Sequence, residues 1–290
     1  TNRIWMSDAK GYMPPVAIGA GMRGGGVGVV EESRFIGIAP GAVVNTGLAT
    51  WALYNDLPGE KLAVLPKLPG VPLTAFMGPL GVTGMTAYFG LLDIGQPKAG
   101  ETVVVSAAAG AVGSMVGQIA KIHGCRVVGI AGSTDKCRWL TDVAGFDAAI
   151  DYKSEDVGAA LDRHCPAGID INFENVGGPV MDSVIARLND FSRMPLCGLI
   201  SVYNATKPVP GPFNFGNLLM RRTLLKGFIV LDYLDRFPAG MRAMADWLAA
   251  GKIKFETDIV HGLEIAPAAL DRLFSGKNLG KLLVKVSDPP

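Results

Sequence analysis

Histidine and cysteine, the residues that most often build metal centres and nucleophilic sites, are scarce. His123, His164 and His261, with Cys125, Cys137, Cys165 and Cys197, stand far apart in 290 residues, without a C-x-x-C and without triad or zinc-ligand spacing. No metal site is therefore expected, and the cysteines read as buried thiols of a protein in a reducing cytoplasm. An excess of charge of one sign is lacking too. The 27 Lys and Arg face 26 Asp and Glu, a net charge of +1, so neither a nucleic acid nor an anionic membrane is the expected partner. A small molecule is the better expectation. The opening TNRIWMSDAKGYM has no apolar core of the kind a secretory signal needs.

Apolar residues are plentiful, at 49% with a mean hydropathy of +0.31. Two uncharged runs, 72–92 and 102–120, approach the ~20 residues that cross a bilayer. Glycines break both, Pro79 breaks the first, and the second divides into a strand-like and a helix-like piece. A soluble protein with a well-covered apolar sheet is expected.

Up to about residue 56 the chain is glycine-rich, with short β-type runs and no sustained helical period. Pro58, Pro66, Pro69 and Pro72 then mark an extended crossing. Beyond Gly84 helix and strand alternate. MTAYFGLLDIG reads as helix, TVVVSA as strand, VGSMVGQIAKIHG as helix and RVVGIAG as strand. Ser133 is placed to cap the helix TDKCRWLTDVAG. AAID, SEDVGAALDRHC, IDINFENV, PVMDSVIARLN, MPLCGLIS, LLKGFIV and RFPAGMRAMADWLAAG continue the rhythm. KFETDIV, IAPAALDRLFSG and KLLVKV form a tail expected to return to the first unit. The repeated alternation predicts an α/β fold with a doubly wound parallel sheet.

Within it, SAAAGAVGS follows the strand TVVV and opens a helix. Backbone N–H groups and a helix N-terminus facing a pyrophosphate need this arrangement, with Gly110 and Gly113 allowing close approach. An ordinary small-residue turn is the plainer alternative. About 20 residues on, an Asp or Glu at the second strand's tip would bind the ribose hydroxyl of NAD. Here the strand ends in GSTDK, with Ser133 at the tip and Lys136 one turn later. Asp135 is more simply a partner of the helix dipole. A small residue, a hydroxyl and an ammonium suit a 2′-phosphate, so NADP(H) is favoured over NAD.

The blocks AAAGAVGSMVGQIAKIHGCRVVG, FENVGG, CGLISVYN, GKNLGKLLVKV and MGPLGVTGMTAYFGLLDIG resemble the zinc-independent medium-chain dehydrogenase/reductases. Within these, the chain is similar to the branch of prostaglandin reductases, plant alkenal double-bond reductases and bacterial curcumin-type reductases, from about Arg3 to Val286. The resemblance implies a GroES-like β-rich domain, residues 1–77 and 253–290, and a Rossmann domain, residues 78–252. It also implies NADPH-dependent reduction of the carbon–carbon double bond of α,β-unsaturated ketones and aldehydes. Carried over, Gly110, Ala111, Val112 and Gly113 contact the pyrophosphate, and Lys136 with Tyr152 the 2′-phosphate. Asn175 lies beside the cofactor, with Cys197, Gly198, Leu199, Ile200, Ser201, Val202 and Tyr203 along its ribose and nicotinamide. Phe228, Ile229 and Val230 line the nicotinamide end, and Asn278 reaches in from the tail. A homodimer through Rossmann edges is implied as well. Against such relatives the chain lacks roughly the first fifty residues, which is expected to expose sheet edges and open the substrate pocket, and Thr1 stands where relatives often carry tyrosine.

The residues themselves agree in part. A hydride donor needs orientation and exclusion of water from its protein, and the substrate's carbonyl oxygen needs a hydrogen-bond donor as charge develops. Tyr203, just past a strand's carboxyl end, is one such donor or else a loop tyrosine that covers the cofactor. Tyr12 in GYMPP is a second phenol that could face the substrate. Trp51, Phe76, Met77 and Met220 either wall an apolar pocket or belong to the core, and KPVPGPFNF reads as a covering loop. Two other readings compete: a quinone oxidoreductase of the same superfamily, and a nucleotide-binding protein without catalysis.

Overall fold

The computed structural model describes residues 5–6 and 11–288; Thr1 and Arg3 lie outside them. The chain divides into two compact units. One comprises Thr1–Met77, Ile259–Arg272 and Leu283–Pro290, the other Gly78–Asp258 and Leu273–Leu282. The tail from residue 253, expected as a whole in the first unit, is shared between the two.

In the first unit β1 (Arg23–Val29), β2 (Val43–Thr50) and β3 (Ala63–Val64) form an antiparallel sheet in the order β1-β2-β3. Glycine-rich β1 carries a bulge between Gly25 and Val27, the local twist that such a flexible strand accommodates.

The second unit is built on short apolar strands alternating with helices. Its elements are α1 (Val82–Phe89), β4 (Thr102–Val105), α2 (Gly113–Ile122), β5 (Arg126–Ala131), α3 (Thr134–Asp142), β6 (Ala148–Asp151), α4 (Val157–His164) and β7 (Ile169–Phe173). After them come α5 (Gly178–Ile185), β8 (Leu188–Leu196), α6 (Gly216–Met220), β9 (Leu224–Gly227) and α7 (Phe237–Ala249). The six strands form one parallel sheet in the order β6-β5-β4-β7-β8-β9. All four β4 residues, TVVV, are buried, as a central strand covered on both faces requires. Gly117 lets α2 lie close to the sheet, since a Cβ there would come within 1.9 Å of the Phe146 ring. The tail adds β10 (Thr257–His261), α8 (Ala266–Phe274) and β11 (Lys281–Lys285), with β10 and β11 paired.

Three expectations are corrected locally. MTAYFGLLDIG is not one α-helix: α1 gives way to a π-helical turn, Gly90–Gly95, whose exit Arg193 pins through Gly95 and Gln96 carbonyls. The helix expected over SEDVGAALDRHC starts at Val157, because Asp156 accepts from the Ala159 N–H at 2.7 Å and caps it there. The strand expected over MPLCGLIS ends at Leu196, because the Cys197 and Gly198 N–H groups turn back to the Glu174 carbonyl. Among the described residues no helix is long and apolar enough to cross a membrane.

Candidate active site

The switch point of the six-stranded sheet falls between β4 and β7, since connections run outward to β5 and β6 on one side and to β8 and β9 on the other. Ligands bind outside the carboxyl ends of strands at such a point. Gly110, Ala111, Val112 and Gly113 form the turn from β4 into α2 there. The Gly110 N–H is used by the Ala107 carbonyl, whereas those of Ala111, Val112 and Gly113 donate to no acceptor among the described residues. No side chain caps α2. A Cβ on Gly113 would stand 2.5 Å from the Ala107 carbonyl oxygen, so the turn exists in this form only with glycine. These open N–H groups, at the positive end of a helix, fit a pyrophosphate.

One strand over, the tip of β5 gathers Ser133, Lys136, Tyr152 and a residue the sequence reading missed, Lys153. Ser133 Oγ caps α3 by accepting from the Lys136 N–H at 3.4 Å. Lys136 Nζ donates to the Gly276 carbonyl at 2.8 Å. Burial lowers the Lys136 pKa, and the Lys153 charge lowers it further against the pull of Asp258. Lys153 Nζ lies 5.9 Å from the centre of the Tyr152 ring. That ring rests on Gly132, where a Cβ would come within 2.8 Å of it. Two neighbouring ammoniums at one strand tip are relieved by a dianion. Only the pattern DYK next to GSTDK hinted at Lys153.

On the other side of the switch point, a cavity of about 460 Å³ opens beside the ends of β8 and β9, with Cys197, Leu199, Tyr203, Phe228, Ile229 and Asp232 in its wall. Gly198 also lines it, and Ile200, Ser201 and Val202 follow as a single 3₁₀ turn. Ser201 Oγ donates to the Val176 carbonyl at 2.6 Å. Tyr203 Oη accepts from the Leu199 N–H at 3.1 Å, which anchors the phenol and leaves its own proton to donate. Burial pushes the Cys197 thiol up to about 12, with the Glu174 carboxylate adding to the shift. Val230, next in the chain after Phe228 and Ile229, is buried. Asn175 bridges the two sides, its Nδ2 donating to the Ser106 carbonyl at 2.8 Å.

Asn278 is buried and donates to the Gly280 carbonyl at 3.1 Å. Gly280 itself joins the phosphate turn, forming a parallel bridge with Gly110 and donating to the Ala109 carbonyl at 2.9 Å. Tyr12, Trp51, Phe76 and Met77 belong to the first unit; Tyr12 is about half exposed and Phe76 is core. Met220 is exposed on α6 and lies outside the cavity wall.

A Rossmann unit with an uncapped glycine turn, a basic corner and an apolar cavity along one sheet edge defines a dinucleotide-dependent oxidoreductase. The chain belongs to the zinc-independent medium-chain dehydrogenase/reductases, in the alkenal and curcumin reductase branch. The family model described as zinc-binding dehydrogenase matches residues 111–249, and that described as the N-terminal domain of oxidoreductase matches residues 1–65. NADPH-dependent curcumin reductase of Escherichia coli is 46% identical over 97% of this chain and 83% of its own. The NADP-dependent 2-alkenal reductase of Nicotiana tabacum is 43% identical over 95% and 80%. The crystal structure of CurA from Vibrio vulnificus in complex with NADPH superposes with a TM-score of 0.93 at 46% identity, covering 99% of this chain and 86% of that one. One family description mentions zinc, yet among the described residues no group of three or more His, Cys, Asp or Glu side chains is arranged to hold a metal ion. The donor set does not fit zinc, and no chemical step is assigned to it.

Proposed function

We propose that this chain is an NADPH-dependent reductase of the carbon–carbon double bond of α,β-unsaturated ketones and aldehydes. The observation that carries the reading is an order in space: basic corner at β5, open N–H groups at β4, apolar cavity at β8 and β9, all along one edge of one sheet. It is the order in which a dinucleotide phosphate presents 2′-phosphate, pyrophosphate and nicotinamide. The family membership and the likeness to NADPH-dependent enone reductases support it.

When bound, NADPH supplies the hydride. The protein's share is to bind, orient and exclude water. Gly110, Ala111, Val112 and Gly113 hold the pyrophosphate, while Ser133, Lys136, Lys153 and Tyr152 hold the 2′-phosphate. Asn175 and the run from Cys197 to Tyr203 border the ribose and nicotinamide; Phe228, Ile229 and Val230 wall the nicotinamide end, and Asn278 braces the phosphate turn through Gly280. The Tyr203 hydroxyl, its oxygen already anchored by Leu199, donates to the substrate's carbonyl oxygen as charge develops there. The same reading places the protein in the reducing cytoplasm, where its four cysteines, all free, persist as thiols.

The test is to follow loss of NADPH absorbance with a panel of enones and enals; no turnover with any would overturn the assignment. Tyr203→Phe is expected to lower kcat by about a hundred- to a thousandfold with NADPH affinity nearly intact. An unaltered kcat would remove Tyr203 as donor.

We also assign a homodimer through β9. Among the described residues this strand ends the sheet with one side unpaired, and its own Leu224 and Leu225 are exposed. An open apolar edge invites a second copy to continue the sheet. Light scattering is expected to give twice the 30.4 kDa chain mass for the wild type and the single mass for Leu225→Asp. A monomeric wild type would refute the assembly.

A further inference from the structure

Glu174 stands immediately after β7 and is fully buried, at 0% exposure. A buried carboxylate gives up its hydration, and an apolar residue at a strand's end carries no such cost. Here no cation answers it among the described residues; four donors do. Oε1 accepts from the Ser106 hydroxyl at 2.9 Å, the Val176 N–H at 2.6 Å and the Gly177 N–H at 2.8 Å. Oε2 accepts from Asn172 Nδ2 at 2.9 Å. The successive Val176 and Gly177 N–H groups, beside Gly177 at φ +76° and Gly178 at φ +59°, make a concavity of the kind that binds anions. The chain's own carboxylate fills it.

The network continues in both directions. Ser106, whose hydroxyl bonds Glu174, opens the phosphate turn; its Oγ accepts the Asn175 N–H at 2.8 Å and its carbonyl accepts Asn175 Nδ2 at 2.8 Å. The Glu174 carbonyl accepts the N–H groups of Cys197 and Gly198 at 2.9 and 3.1 Å, and both residues line the cavity. One residue thus joins the turn after β4, the turn before α5 and the wall after β8.

We propose that Glu174 is a positioning residue: without touching the cofactor, it registers the nicotinamide side of the cleft, residues 175–178 and 197–198, against the pyrophosphate turn. The proposal rests on the dinucleotide reading of this cleft. It predicts a selective defect, because the basic corner that takes the adenosine half lies on the opposite side of β4.

The experiment measures binding of NADPH and of 2′,5′-ADP by calorimetry to the full chain and its Glu174→Ala and Glu174→Gln variants. Glu174→Ala is expected to bind NADPH about tenfold or more weakly, to hold 2′,5′-ADP like wild type and to keep its circular dichroism. In Glu174→Gln the remaining oxygen can still serve three donors, and the new amide meets Asn172. The Asn172 Oδ1 is buried without a partner, so turning that carboxamide over supplies the missing acceptor. Glu174→Gln is therefore expected to bind both ligands within about threefold of wild type.

Equal weakening of both ligands by Glu174→Ala, an unweakened NADPH affinity, or Glu174→Gln as impaired as Glu174→Ala would each overturn the proposal. Should Glu174→Ala not fold, Ser106→Ala removes one donor and the Asn175 N–H acceptor, and must weaken NADPH relative to 2′,5′-ADP; an unchanged ratio overturns it. A wild type that binds neither ligand overturns the cofactor reading itself.

Discussion

Lys136 carries a charge that its own surroundings disfavour. It is half-buried, faces the like charge of Lys153, and takes a main-chain carbonyl, Gly276, as its hydrogen-bond partner. A 2′-phosphate removes that conflict, so Lys136→Ala is expected to raise the KM for NADPH by about ten- to a hundredfold and to leave that for NADH nearly unchanged. Steady-state kinetics with both cofactors decide it, and equal effects would refute the specificity argument. Lys136 and Ser133 were legible in GSTDK because cap and strand tip are local features. The Gly276 carbonyl lies 140 positions away, and no local pattern encodes it. Glu174 was in plain view within FENVGG, yet its four donors depend on two separate strand ends meeting, that of β4 with Ser106 and that of β7 with Asn172, Val176 and Gly177.

Elements succeed or fail on packing between neighbours. In α2 the buried face includes Gly117, and a methyl there would strike the Phe146 ring. Although alanine favours helix over glycine by ~1 kcal/mol, overpacking costs ~1–3 kcal/mol. Gly117→Ala is expected to lower stability in denaturant unfolding by about 1–2 kcal/mol, and adding Phe146→Leu to recover most of it. A stabilised Gly117→Ala would contradict the close approach. Periodicity and β-branched runs located every strand of the second unit's sheet. They did not locate where β8 stops or how the π-helical turn after α1 ends, because partners distant in sequence meet both: the Glu174 carbonyl at the first, the Arg193 side chain on the Gly95 and Gln96 carbonyls at the second.

At the scale of the molecule, acid acts through carboxylates held below their ordinary range. Burial works to raise Glu101, and the Arg193 guanidinium and the Lys98 N–H outweigh it. Burial likewise works to raise Asp147, and Lys121 with the Val127 N–H outweighs it. A carboxyl whose folded pKa is depressed contributes stability above its unfolded pKa, about 4, and loses it as the pH falls through the lower folded value. Glu101→Gln is therefore expected to cost about 2 kcal/mol at pH 7 and progressively less toward pH 3, measured by urea unfolding across that range. A difference independent of pH would exclude the ion pair as its source.

The clasp formed by the tail sets a schedule for synthesis. Gly276 steadies the basic corner and Gly280 closes on the phosphate turn, so two of the three parts of the cofactor groove wait for residues made after all six strands of the parallel sheet. The parallel sheet can collapse while the chain is still being made, since domains fold as units during translation. A ribosome halted short of Gly276 would hold a folded sheet with an unfinished groove, and the nascent protein would gain its grip on nucleotide only after Gly276 and Gly280 have been added and have docked.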